Sequence, residues 1–158
     1  MQRIAWVSVL VLTSCGGGQD AKSASDKKSS LDDSPAMKCL EEAKTKRTAP
    51  VDAPERMDLA QILVRHAGVK NSADVTRTEE EACLRAQEAR KKLLGGADWD
   101  KIREEYSDDK GATDGVLFGV VQGDLNPTFA GAAFSLQVDE LSYVVETPRG
   151  FHVIWRKK

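Results

Sequence analysis

No stretch of this 158-residue chain is apolar for long enough to cross a bilayer as a helix, which takes about 20 consecutive apolar residues. The longest candidate, Ile4 to Leu12 interrupted by Ser8, falls far short. An excess of one charge is missing too: 23 Lys and Arg stand against 25 Asp and Glu, a formal net charge of −2. That argues against a nucleic-acid binder held by phosphate contacts, which needs a basic surface. No internal repeat runs through the sequence, and the chain is too short for two independent cores of ordinary size. Cysteine is scarce, at three residues, so any cysteine chemistry rests on Cys15, Cys39 and Cys83.

What is present begins with the N-terminus. Arg3 supplies a short positive region and Ile4 to Leu12 an apolar run of signal-peptide length. The run ends in Leu12-Thr13-Ser14-Cys15, which resembles the lipobox of bacterial lipoproteins. That resemblance implies a signal peptide over residues 1–15 and lipid attachment at Cys15. It places the protein in the cell envelope, anchored to a membrane and facing the periplasm or the exterior. The same residues also fit an ordinary secretory signal, or a buried N-terminal strand with an incidental Cys. Gly16, rather than Asp, follows Cys15, so the familiar inner-membrane retention signal is absent. Residues 16–33 are rich in Gly, Ser, Asp, Lys and Ala, a composition that buries too little to offset the entropy of ordering. Residues 16–56 therefore read as a flexible tether with a possible short helix at Met37–Ala43, broken by Pro50 and Pro54. A coil of that length reaches roughly 35 Å.

Regular patterning fills residues 57–158. Leu59 to Val64 is a strand candidate. Thr78 and Glu81 form a capping box ahead of a helix whose Ala82, Ala86, Ala89 and Leu93 make one buried stripe, ended by Gly95-Gly96. Trp99, Ile102 and Tyr106 repeat at helical spacing behind Asp98. Val116 to Val121 is a second strand; Asn126-Pro127 starts a short helix over Phe129–Phe134. Tyr143–Glu146 and Phe151–Arg156 flank the turn-forming Thr147-Pro148-Arg149-Gly150, giving a hairpin. The order predicts an α+β fold, helices packed on an antiparallel sheet.

Several local motifs occur in this order: Ile62-Leu63-Val64-Arg65-His66, then Ser107-Asp108-Asp109, then Asn126-Pro127-Thr128-Phe129 with Ala132-Ala133-Phe134, and last Val145 to Ile154. Together they resemble the parvulin type of peptidyl-prolyl cis-trans isomerase over residues 57–158. The resemblance implies a four-stranded antiparallel sheet with flanking helices, an FKBP-like superfold. It also implies rotation about X–Pro bonds without metal, nucleotide, other cofactor or covalent intermediate. Carried over residue by residue, it assigns the proline slot to Leu117, Leu125 and Phe129, and the polar side to His152, Asp109, Gln61 and Thr147. The partners it implies are proline-containing segments of unfolded or secreted proteins. A chaperone-like module that binds such segments without turnover fits the same motifs.

Three departures bear on activity. The family usually pairs two histidines across the sheet floor, and Gln61 stands where the first belongs. Phe118 replaces a usual Gly and Val120 a usual aromatic, so the pocket wall is expected to be rebuilt. The loop Ala67–Thr76 holds Lys70 as its one cation, whereas phosphate-directed members place adjacent arginines there; no phosphate preference is expected. If Cys15 is lipidated, Cys39 and Cys83 remain as an even pair in an oxidising compartment, either bridged or as two separate thiols.

Overall fold

The computed structural model describes residues 34–111 and 115–158. The signal segment with Cys15, the stretch 16–33 and Asp114 lie outside the described residues. The elements run in the order α1 (Pro35–Lys44), β1 (Met57–Val64), α2 (Glu79–Leu94), α3 (Trp99–Tyr106), β2 (Val116–Val120), a 3-10 turn (Gln122–Asp124), α4 (Pro127–Phe134), β3 (Val145–Thr147) and β4 (Gly150–Arg156). The four strands form one antiparallel sheet ordered β2-β1-β4-β3. The α+β expectation holds.

Strand β1 is central because its sequence, Met-Asp-Leu-Ala-Gln-Ile-Leu-Val, buries nearly every residue on both faces. A strand covered on both sides loses the polar alternation of a half-exposed one. On one face Ile62 and Val64 join Phe151 and Val153 of β4 under α1, α2 and α3. On the other, Leu59 joins Ile154 and Val145 under Phe129, Ala132, Ala133 and Phe134 of α4. Gln61 lies on this second face, which becomes the floor of the site.

The capping signals act as their chemistry requires. Thr78 and Glu81 satisfy each other's backbone donors at the start of α2, Asp98 accepts from Lys101 N at α3, and Asn126 accepts from Thr128 N and Phe129 N at α4. Gly95 caps α2, and Gly96 follows with φ +86°, a left-handed conformation that glycine adopts without penalty. The hairpin differs from expectation. β3 begins at Val145 rather than Tyr143, because Ser142 is engaged separately, its N–H donating to Ile154 O and its hydroxyl accepting from Ile154 N.

The segment before β1 is a larger correction. The helix expected inside residues 16–56 is present as α1, capped by Ser34, but it is not carried loosely. Cys39 is disulfide-bonded to Cys83 of α2 across a Cα–Cα distance of 6.0 Å, and Leu40 and Ala43 are buried in the helical core. Beyond α1 the chain crosses α4 so closely that a Cβ on Gly131 would lie 2.0 Å from Arg47 O. Ala49 and Ala53 then pack on the second core. Residues 34–56 are thus part of the packed unit, since their apolar residues and one thiol find partners that composition alone did not reveal.

Candidate functional site

The polar floor follows from strand register. Gln61 pairs with Ile154 and Leu63 with His152, so Gln61 and His152 are diagonal neighbours on one face of the sheet. Val145 pairs with His152 and Thr147 with Gly150, which brings Thr147 to the other side of the same imidazole. All three side chains are buried, and buried polar groups need partners.

Their hydrogen bonds form one directed chain. Gln61 Nε2 donates to Asp109 Oδ2 at 3.2 Å, which turns Gln61 Oε1 toward His152 Nδ1 at 2.9 Å. An amide oxygen only accepts, so Nδ1 carries the hydrogen and Nε2 of the neutral ring is an acceptor. Thr147 Oγ1 lies 2.8 Å from Nε2 and donates to it, while accepting from Arg149 N at 3.1 Å. Burial pushes the His152 pKa from 6.5 down to about 3, with the Arg149 guanidinium adding to the shift. The ring is therefore neutral at physiological pH and both its nitrogens are occupied.

Asp109 reaches this chain because its tripeptide is stitched to the end of β1. Ser107 Oγ accepts from Leu63 N and Asp109 N, each at 3.2 Å. Asp108 Oδ2 accepts from Arg65 N at 2.7 Å and pairs with Arg77. Gly115 closes the other flank: its φ of +68° and the 2.7 Å between its ideal Cβ and Gln61 O leave room for glycine alone.

Above the floor lies a pocket of about 330 Å³. Leu117, Leu125 and Phe129 provide its apolar walls, Gln61, Thr147 and His152 its base. The Phe129 ring meets His152 edge-on at 5.1 Å between centroids. Six of the seven non-lipid residues expected at the site thus converge on one cavity. The seventh, Asp109, acts from behind Gln61 rather than from the wall. Phe118 is 74% exposed and faces away, and Val120 packs on the second core; of that stretch, Leu117 alone lines the pocket, so the expected rebuilding of the wall is not where those two side chains went.

Sequence reading missed Asp124, Asn126, Pro148 and Arg149, which also line the cavity. Asn126 was legible only as a helix cap and Pro148-Arg149 only as a turn; nothing local announced that both turn and cap face the slot. Among the described residues, no group of three or more His, Cys, Asp or Glu could hold a metal ion. An apolar slot over a polar floor whose donors are paired internally suits conformational work on a bound peptide.

An apolar slot on such a sheet points to the class, and comparison with known proteins supplies the family. Residues 40–156 match the PPIC-type PPIase domain family, and the chain belongs to it. The Drosophila melanogaster protein dodo, a peptidyl-prolyl cis-trans isomerase by name, is 35% identical over 113 residues, 67% of this chain and 68% of its own. Chaperone SurA of Bordetella parapertussis is 31% identical over 147 residues, 91% of this chain but 27% of its own. The foldase PrsA of Bacillus subtilis is 38% identical over 71 residues, covering 44% and 24% respectively. This chain therefore spans about a quarter of the length of SurA and PrsA. Among solved structures, the PPIase domain of TbPar42 superposes with a TM-score of 0.58 at 26% identity, over 65% of this chain and 99% of that one. PrsA from Bacillus subtilis gives 0.52 at 28% identity, over 66% and 35%.

Proposed function

We propose that this chain is a peptidyl-prolyl cis-trans isomerase that assists the folding of secreted or envelope proteins, held to a membrane by a lipid on Cys15. Rotation about an X–Pro bond meets a barrier of about 18–20 kcal/mol because amide conjugation is lost on the way. Unassisted, it takes tens to hundreds of seconds and can limit folding. A catalyst gains by gripping the proline ring while favouring the twisted amide over the planar one. The observation that carries the reading is the slot of Leu117, Leu125 and Phe129 set directly on the Gln61–His152–Thr147 floor. Leu117, Leu125 and Phe129 hold the ring, the neutral imidazole shapes the base, and Asp109 and Thr147 fix its orientation.

The substrate is an unmodified X–Pro segment rather than a phosphorylated one. A phosphate calls for several converging donors, yet Arg149 is the one cation on the pocket wall, and Arg77 is engaged by Asp108 and Arg65 O. The second reading is a peptide-binding chaperone module without turnover. Gln61 favours it: with an amide in place of a second imidazole, the floor's hydrogen-bond direction is set by Asp109 and cannot reverse by tautomer exchange.

The deciding experiment is an isomerisation assay of the full chain on a panel of proline tetrapeptides. Measurable acceleration, reduced by Phe129→Ala together with peptide binding, supports the enzyme; Gln61→His is expected to raise turnover if the amide is a handicap. Saturable peptide binding that Phe129→Ala abolishes, with no isomerisation by the wild type, would leave the binding module standing.

A further inference from the structure

Resting on that reading of the pocket, we infer that the site selects prolines flanked by one acidic and one basic residue, with Arg149 reading the acid and Asp124 the base. These are the two charged side chains on the pocket wall. They come from separate elements, Arg149 from the β3–β4 turn and Asp124 from the 3-10 turn that leads into α4.

Both charges are open to a ligand: the Arg149 side chain is 60% exposed, and Asp124 is exposed. Arg149 makes one long ion pair, to Asp109 at 3.9 Å, beyond hydrogen-bond reach, and Asp109 already accepts from Gln61. The Asp124 carboxylate has no hydrogen bond or ion pair among the described residues, and its exposed side chain stands just before Leu125 of the slot. By contrast Lys44, in the neighbouring depression beyond Pro148, is paired with Glu79 at 3.2 Å.

Arg149 is also held where it can act. Its backbone N–H is fixed on Thr147 Oγ1, and the turn is pinned by Gly150, whose φ is +127° and whose ideal Cβ would lie 2.5 Å from Val64 O. The floor, meanwhile, directs its hydrogen bonds inward, so charge discrimination falls to the rim. Both charges border the slot that the proline ring would fill, so the residues flanking a bound proline are the ones they can reach.

The test uses the full chain and four peptides identical except around proline: Glu-Pro-Lys, Lys-Pro-Glu, Glu-Pro-Glu and Lys-Pro-Lys. One mixed order should be the best substrate or ligand and the reverse order the worst, with the like-charged pair between. Two exposed charge contacts predict a spread of about tenfold at low salt, shrinking as salt screens them. Arg149→Glu combined with Asp124→Lys should invert the ranking, which loss of a merely structural arginine would not do. Four peptides within about twofold of one another, or a ranking that survives the double reversal, overturn the inference while leaving the pocket reading intact. Peptides that neither bind nor isomerise overturn both.

Discussion

Acid should destabilise this domain through His152, which the fold holds neutral. The ring is 2% exposed, and burial first, then Arg149, lowers its pKa from 6.5 to about 3. In the unfolded chain the same imidazole takes a proton below about 6.5, while in the folded chain it stays neutral until about 3. The unfolded state therefore binds more protons through this window, so stability rises with pH across it and falls as pH drops. Between pH 7 and pH 5 the loss from this one group is about 2 kcal/mol, given 1.36 kcal/mol per pKa unit. That figure needs only a folded pKa well below 5. Urea unfolding at both pH values, on wild type and on His152→Gln, reads it as a difference of differences. Carboxylates titrating in both proteins cancel, and the general cost of removing the ring appears equally at both pH values. If wild type and variant lose the same stability between pH 7 and pH 5, His152 is not held neutral by the fold.

The Cys39–Cys83 bridge closes a loop of sequence separation 44, so Cys39→Ser with Cys83→Ser should lower stability by about 2–4 kcal/mol; unchanged urea midpoints with and without reductant would contradict it. Gly131→Ala carries a sign test. Helix propensity favours alanine by about 1 kcal/mol, but the 2.0 Å approach of Arg47 O should make the change destabilising by about 1–3 kcal/mol, and a raised thermal midpoint would show that residues 45–49 do not cross α4 as described. Cys15→Ser should block lipid attachment and leave unprocessed or released protein, since the apolar run is too short to hold a membrane; processed Cys15→Ser protein that still sediments with membranes would refute the anchor.

The fold was legible where a local pattern has one cheap solution. The capping box at Thr78 and Glu81, the stop at Gly95-Gly96 and the Asn126-Pro127 start each name an element boundary through a single backbone requirement. Strand β1 showed itself through an apolar run that excludes solvent from both faces. The missed features depend on contacts distant in sequence. Docking of α1 needs Cys83, 44 residues away, and the path of Arg47 needs a gap that Gly131 provides. The floor was half legible: motif order placed Gln61, Thr147 and His152 in one site, yet the direction of their hydrogen bonds follows from Asp109, whose position depends on Ser107 and Asp108 binding the end of β1. Arg149 looked like a turn residue because a turn is its local role.

These facts bear on how the floor could serve a rotation. Turning a prolyl amide transfers no proton, so a site built for it gains nothing from a titrating imidazole and loses rigidity if the ring changes charge near neutral pH. Here three floor donors already have internal acceptors: Nδ1–H on Gln61, the Thr147 hydroxyl on His152 and one Gln61 N–H on Asp109. Buried networks that are fully satisfied hold a single geometry, because any rearrangement leaves a desolvated group unpaired at a cost of about 1–3 kcal/mol. Gln61 thus trades reversible hydrogen-bond direction for a fixed one. The consequence separates two pH profiles that a catalytic histidine would join: stability should fall from pH 7 to pH 5, while activity or binding per folded molecule should stay flat over that interval.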